Sequence, residues 1–154
     1  MSDLLTLKLT ELFAIPNTVI LTIGNTLRGD DAVGPAIAAA LQGYPRLVFN
    51  AGEHPEGVID DIVAAKPAQL IIIDAADFKG VPGEIRIIPG EQIPDTTLST
   101  HQFPLKVIAK IIAQDTGARV QFVGIQYQQI QPGAAISKSV QLAAKKLITA
   151  IKGA

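Results

Sequence analysis

The sequence contains no cysteine. A chain without thiols has no disulfide bonds, no thiolate zinc site, no iron–sulfur ligation and no cysteine nucleophile. Any metal ion that binds to this protein is therefore held by oxygen and nitrogen atoms.

Basic clusters and long apolar runs are also scarce. The 13 basic and 14 acidic residues give a formal net charge of -1, and Lys145 and Lys146 form the only pair of adjacent basic residues. Because a nucleic-acid-binding surface normally carries a basic patch, this composition disfavours nucleic acid as a partner. The apolar runs are short for a membrane span, and acids occupy the N-terminal stretch where a signal peptide carries basic residues. We expect a cytoplasmic protein with no nucleic-acid and no membrane partner.

Continuous β-branched runs alternate with helical patterns in the first half of the chain. The runs at 18–25 and 70–73 do not alternate between apolar and polar residues, which is typical of strands buried on both faces of a parallel sheet. Between them the sequence predicts a helix over 33–42, a strand over 46–50 and a helix over 56–66.

The second half of the chain begins with a short apolar run at 84–88 between segments rich in Gly and Pro. This run predicts an edge strand suited to antiparallel pairing. Apolar residues at helical spacing then predict a helix between Pro104 and Gly117. A strand over 119–126 and a closing helix over 136–151 follow.

The predicted fold class is α/β. We expect a single-domain three-layer α/β/α sandwich, in which a mostly parallel, twisted five-stranded sheet carries helices on both faces. The length of the chain suits one domain over residues 1–154. Residues 1–15 are interpreted as an N-terminal extension to this core, with a short helix packed on the edge of the sheet.

The segment GNTLRGDDAVG, residues 24–34, lies between the first predicted strand and the first predicted helix, where a nucleotide-binding protein has its phosphate loop. Gly24 and Gly29 have the separation of phosphate-loop glycines. However, Asp30 stands where that loop has lysine, and Asp31 follows it, so two carboxylates would repel a phosphate. The dinucleotide pattern G-x-G-x-x-G is absent as well. The loop therefore suits a cation.

Each acid of this loop also has a purely structural interpretation. An aspartate ahead of a helix often serves as its N-cap, and acids in the first turn are stabilised by the helix dipole. For Asp30 we favour the cap over a role as a ligand. Asp31 alone would be a first-turn acid, and Gly34 and Pro35 would only start the helix.

Two further polar residues strengthen the case for Asp31. In an open α/β sheet, ligands bind outside the carboxyl ends of the strands. Asp31 follows the first predicted strand, Asp74 ends the third, and His101 precedes the helix that begins near Pro104. Two carboxylates and one imidazole suit zinc, nickel or iron and leave positions open for substrate atoms. For Asp74, a sheet-end acid that is hydrogen bonded to a neighbouring loop is an equally good interpretation.

Glu53 and His54 follow the second predicted strand and therefore lie near the same edge of the sheet. Solvent exposure is the simpler interpretation of both residues, and we do not assign them to the site.

The ordered set of motifs resembles the endopeptidases that mature the large subunit of nickel-iron hydrogenases. The segments GNTLRGDDAVGP, LIIIDAADF, VPGEIRII, STHQFPL and VGIQ occur in the order and spacing of that family, and the resemblance extends from Val19 to Lys152. The pieces GEIRII and THQFPL are similar to the branch that serves formate-hydrogenlyase-type enzymes, that is, the hydrogenase 3 branch.

The resemblance implies a function and a site. Members of this family remove the C-terminal extension of a large-subunit precursor after nickel has been inserted. Their metal-contacting side chains correspond to Asp31, Asp74 and His101, which are therefore the expected metal contacts and catalytic residues. The nickel would be supplied by the precursor, so we expect no permanently bound cofactor. The expected partner is the hydrogenase large-subunit precursor, and the protein is expected to be a monomer.

One motif departs from the family pattern. Many members carry an Asp-Gly-Gly-Thr-like motif after the second strand, which is implicated in choosing the precursor. Here the corresponding residues are Asn50, Ala51, Gly52 and Glu53. Because the first acid is missing, the precursor specificity of other members does not transfer to this chain.

Two other classes of function compete with a protease. The first is a non-catalytic, metal-sensing chaperone that binds the precursor while another protein cuts it. The second is an ordinary nucleotide-binding domain, which Asp30 and Asp31 disfavour. For the protease itself, the ion would polarise the scissile carbonyl or generate hydroxide from a bound water.

Overall fold

The computed structural model describes residues 2–94 and 104–154, and in this part of the chain five strands form one sheet. The strands are β1 (Thr18–Ile23), β2 (Val48–Gly52), β3 (Gln69–Ala76), β4 (Ile85–Pro89) and β5 (Arg119–Gln126). Their order in space is β2-β1-β3-β5-β4. All neighbouring pairs are parallel except β4 with β5, which is antiparallel and lies at the edge. The predicted sheet and its antiparallel edge strand are both confirmed.

Helices connect and cover these strands. They are α1 (Ser2–Ala14), α2 (Val33–Ala40), α3 (Ile59–Ala64), α4 (Leu105–Thr116) and α5 (Lys138–Lys152). The segment predicted as one helix over 56–66 is divided, since a 3-10 turn at Pro55–Val58 precedes the shorter α3. Among the helices of the described ranges, none combines the length and the apolar character needed to cross a bilayer.

Alternate residues of β3 belong to two separate cores. Ile71 and Ile73 pack in the core that includes α1, α2 and α5, whereas Leu70 and Ile72 pack in the core that includes α3 and α4. The strand is covered on both faces, which explains why its sequence is continuously apolar. Side chains two positions apart on a strand point to the same face of the sheet. Asp74 therefore lies with Ile72 on the face covered by α3 and α4.

Helix α1 belongs to one of these layers, so the predicted position at the sheet edge is wrong. Leu9 and Phe13 are fully buried in the core, and the helix packs against α5. The Arg46 guanidinium donates to the carbonyl oxygens of Phe13, Ala14 and Ile15, where the helix ends. These bonds satisfy carbonyl groups that have no partner within the helix.

The strand order reverses direction between β1 and β3, and we call the carboxyl ends of these two strands the crevice. From β1 the chain passes through α2 to β2 on one side, and then returns through α3 to β3 on the other side. Such a reversal of direction is the position where open α/β sheets bind ligands, outside the carboxyl ends of the strands. Thr22 is level with Ile73 in the parallel register, so Asp74 lies beside the end of β1.

Candidate active site

Asp74 lies at the carboxyl end of β3 and is fully buried. All the remaining residues of this strand are apolar, with the exception of Gln69. A buried carboxylate in a central strand is costly unless it has polar partners or a function. Its position at the crevice between β1 and β3 makes it the first candidate for the chemistry of this site.

Asp31 approaches the same crevice from the loop after β1. It lies in a 3-10 turn, Gly29–Ala32, that contacts β3, and only 3% of its surface is exposed. Its Oδ2 atom accepts a hydrogen bond from the backbone N–H of Asn25 over 3.1 Å. The structure therefore brings two of the predicted site residues, Asp31 and Asp74, to one edge of the sheet.

Two glycines allow this loop to fold tightly. Gly24 has a φ of 153°, and a Cβ atom there would lie 2.0 Å from the carbonyl oxygen of Asp31. A Cβ atom on Gly34 would lie 2.2 Å from the carbonyl oxygen of Ile23. These glycines let the backbone of α2 and its turn approach β1. This close approach explains Gly24, which was compared above with a phosphate-loop glycine.

Asp30 has a different role from its neighbour. Its carboxylate accepts hydrogen bonds from the backbone N–H groups of Gln128 and Gln129 and from both the N–H and the hydroxyl of Ser137. The N-cap positions of the turn and of α2 are occupied by Arg28 and Ala32, and neither makes a side-chain cap bond. The predicted cap role of Asp30 is therefore wrong, because its partners lie on the segment between β5 and α5.

Asn25 is the residue of this site that sequence reasoning missed. Its backbone N–H donates to Asp31, its Nδ2 donates to Oε1 of Glu53 over 3.0 Å, and its Oδ1 accepts the N–H of Leu27 over 2.8 Å. The bond from the Leu27 N–H to the Asn25 side chain is a local turn motif typical of asparagine. This motif is the sequence signal by which Asn25 could have been found. Asn25 therefore links the candidate catalytic acid to the loop after β2.

Glu53 and His54 differ in their relation to the site. Glu53 is exposed but bonded to Asn25, so it belongs to the rim of the crevice. The His54 side chain is 80% exposed and its Nδ1 lies 3.3 Å from Oε1 of Glu56. The expected solvent exposure is confirmed for both, and the hydrogen bond of Glu53 was not anticipated.

Asn50 occupies the position where many members of the resembled family have an acid. Its Oδ1 atom accepts the Thr22 hydroxyl over 3.0 Å and the Gly52 N–H over 3.3 Å, which ties the end of β2 to β1. An aspartate oxygen would accept the same two bonds. The local fold therefore does not explain the asparagine at this position.

Two ionisable groups near the carboxyl edge have shifted pKa values. Burial raises the pKa of the Tyr127 hydroxyl above its ordinary value, and the negative charge of Asp77 adds to this effect. The hydrogen bond from the Arg86 side chain lowers the pKa of the Glu84 carboxyl, and the Val81 N–H contributes in the same direction. Tyr127 is therefore a neutral group and Glu84 an ionised one at neutral pH.

His101 lies outside the described residues, so its predicted place in the site stays a prediction. Within residues 2–94 and 104–154, no three His, Cys, Asp or Glu side chains come together as a possible metal site. Carboxylates are side chains that bind cations together with further ligands or accept a proton from water.

The comparison with protein families decides the family of this chain. The family model described as hydrogenase maturation protease matches residues 35–154. The chain belongs to the hydrogenase maturation protease family. As a member, it is a peptidase. The matched range contains Asp74 and His101, and it begins just after the loop that carries Asp31.

Similar proteins agree with this assignment. The Hydrogenase 3 maturation protease of Escherichia coli K12 is 38% identical over 112 residues, which is 70% of this chain and 71% of that protein. The crystal structure of a [NiFe] hydrogenase maturation protease from Thermococcus kodakarensis is 30% identical, with a TM-score of 0.83 over 94% of this chain and 96% of that one. The solution structure of an endopeptidase from Escherichia coli is 31% identical, with a TM-score of 0.80 over 89% and 90% of the two chains. The sandwich described above is therefore the fold of these hydrogenase maturation proteases.

Proposed function

We propose that this peptidase removes the C-terminal extension of a nickel-iron hydrogenase large-subunit precursor after nickel has been inserted. Family membership and the names of its relatives support this substrate. The observation that carries the proposal is the placement of Asp31 and Asp74. Both are buried, and they lie at the crevice where the strand order reverses.

In this proposal the nickel ion belongs to the substrate. Asp31 and Asp74, together with His101, complete the coordination of the ion carried by the precursor. The chain has no cysteine, so its contribution is limited to oxygen and nitrogen ligands. A set of two carboxylates and one imidazole suits a divalent transition metal and leaves room for ligands from the substrate. Recognition of the precursor then depends on the presence of its nickel.

The hydrolytic step requires that a water loses a proton and that the leaving amine gains one. A buried carboxylate at the crevice is suited to accept the proton of the water and then to donate it to the leaving amine. The nickel ion adds the polarising effect of a Lewis acid on the scissile carbonyl. The ion therefore serves as a recognition signal and polarises the scissile carbonyl. Asp31 or Asp74 accepts the proton of the water.

We propose that the enzyme acts as a monomer in the cytoplasm. Light scattering on the purified protein tests the monomer, and a mass twice that of the chain would contradict it.

Substitution of the two carboxylates tests the site. Purified wild type, Asp31→Asn and Asp74→Asn are each incubated with a nickel-loaded precursor, and the precursor C-terminus is determined by mass spectrometry. Wild type acting alone should produce a single truncation, which excludes a chaperone that needs another protein to cut. Both variants should lose at least about a hundredfold in rate.

The control is Asp60→Asn, which changes an exposed acid on α3. It should cleave at the wild-type rate. Wild-type rates for Asp31→Asn and Asp74→Asn would show that the chemistry takes place elsewhere.

A further inference from the structure

Leu27 is an apolar residue that is exposed to solvent in the loop of the candidate active site. It is 73% exposed, the largest value among the large hydrophobic residues of the described ranges. Single exposed leucines are common on protein surfaces and need no explanation by themselves. The surroundings of Leu27 distinguish it from exposed leucines on outer helices, such as Leu142 on α5, which is 58% exposed.

The backbone at Leu27 is fixed on both sides. Its N–H donates to Oδ1 of Asn25 over 2.8 Å, and its carbonyl oxygen accepts the N–H of Gly133 over 2.9 Å. The next residue, Arg28, forms an isolated antiparallel bridge with Pro132. Because both backbone groups of Leu27 are hydrogen bonded, its side chain is exposed to solvent at a defined position.

The same loop holds the candidate catalytic acid. Asn25 accepts the N–H of Leu27 with its side chain and donates its own backbone N–H to Asp31. Asn25 is therefore hydrogen bonded to both Leu27 and Asp31. Leu27 and Asp31 are also only four residues apart in the same loop, so a polypeptide that is bound at Asp31 and Asp74 lies within reach of Leu27.

We propose that Leu27 is a substrate-binding residue that packs against an apolar side chain of the precursor next to the scissile segment. This inference rests on the proposed function of the site. Burial of the leucine side chain on binding removes apolar surface from water and thereby adds to affinity. Leu27 touches no reacting atom, so it acts on binding of the precursor and leaves the chemical step unchanged.

Steady-state kinetics with nickel-loaded precursor test this inference. The KM of Leu27→Ala should rise about tenfold because most of the apolar contact is lost, while kcat stays within about twofold of wild type. Leu27→Met keeps the apolar volume and should have the KM of wild type. Leu142→Ala removes an equally large side chain from a remote exposed position and should also behave as wild type.

Two results would overturn the inference. One is a KM for Leu27→Ala equal to that of wild type, and the other is a fall in kcat with no change in KM. Calorimetric titration with nickel-loaded precursor separates this inference from the proposed function. If wild type binds the precursor without cleaving it, the proposed function fails, yet a roughly tenfold weaker binding by Leu27→Ala would still support Leu27 as a contact.

Discussion

The carboxylate of Asp30 accepts the backbone N–H of Ser137 over 2.6 Å and the Ser137 hydroxyl over 2.8 Å. With the N–H groups of Gln128 and Gln129, it joins the loop after β1 to the segment between β5 and α5. The two adjacent acids, Asp30 and Asp31, thus have different roles. Asp30 fixes the loop, and Asp31 lies at the crevice.

Removal of the Asp30 carboxylate should destabilise the protein. Asp30→Ala removes the buried carboxylate that accepts four hydrogen bonds from Gln128, Gln129 and Ser137, so we expect a loss of about 3 kcal/mol in the free energy of unfolding. Urea denaturation measures this loss. Asp115→Ala, at an exposed position near the C-terminal end of α4, should change the stability by less than about 0.5 kcal/mol. A similar small change for Asp30→Ala would show that its hydrogen bonds do not hold the loop.

Gly34 should not tolerate a side chain. Alanine is the better helix former, but its Cβ would lie 2.2 Å from the carbonyl oxygen of Ile23 and would push α2 away from β1. We therefore expect Gly34→Ala to lower the free energy of unfolding by about 1–3 kcal/mol. Gly57 has open space around it, so Gly57→Ala is the matched control and should be close to neutral. Thermal unfolding of the two variants compares them, and equal midpoints would contradict the steric argument.

Glu53 should affect activity through Asn25. The carbonyl oxygen of glutamine can accept the same bond from the Asn25 amide, whereas alanine cannot. We expect Glu53→Ala to lower kcat/KM for the nickel-loaded precursor by about tenfold, because the loop that carries Asp31 loses one of its supports. Glu53→Gln should retain wild-type activity. If both variants lose activity equally, the negative charge of Glu53 matters and its bond to Asn25 does not.

Glu84 should contribute a pH-dependent part of the stability. Its Oε2 lies 2.6 Å from Nε of Arg86, and this hydrogen bond is the main reason that its pKa is lowered from 4.5. Because the folded-state pKa is the lower one, the contribution is present above the unfolded value and is lost as the pH falls through the folded value. The stability difference between wild type and Glu84→Gln should therefore be present at neutral pH and shrink below pH 4.5. High salt should reduce it as well, since the pair is solvent exposed.

Urea denaturation at several pH values provides the measurement for Glu84. Glu91→Gln, a charge change at another exposed glutamate, is the control and should show no such pH dependence. A difference between wild type and Glu84→Gln that stays constant from neutral pH to acid would contradict the role of Arg86.

The sheet could be predicted because its signals are local. The run from Leu70 to Ile73 is apolar without alternation since both faces of β3 are buried. The edge strand β4 is marked by the Gly and Pro residues on either side of it. The meeting of Asp31 and Asp74 follows from the rule that the carboxyl ends of neighbouring parallel strands form one edge.

The role of Asp30 could not be predicted because its partners are remote in sequence. The bonds to Gln128 and Ser137 span 98 and 107 positions along the chain, and no local pattern reports them. The layer to which α1 belongs is a similar case. Leu5, Leu9 and Leu12 have helical spacing, but only tertiary packing decides which face of the sheet the helix covers.

The nickel dependence of cleavage tests the central claim most directly. Purified protein is incubated with the large-subunit precursor, once loaded with nickel and once free of it, and the precursor C-terminus is read by mass spectrometry. We expect a single truncation of the nickel-loaded precursor and no truncation of the nickel-free form. Equal truncation of both forms would contradict the claim that Asp31, Asp74 and His101 recognise the nickel of the substrate.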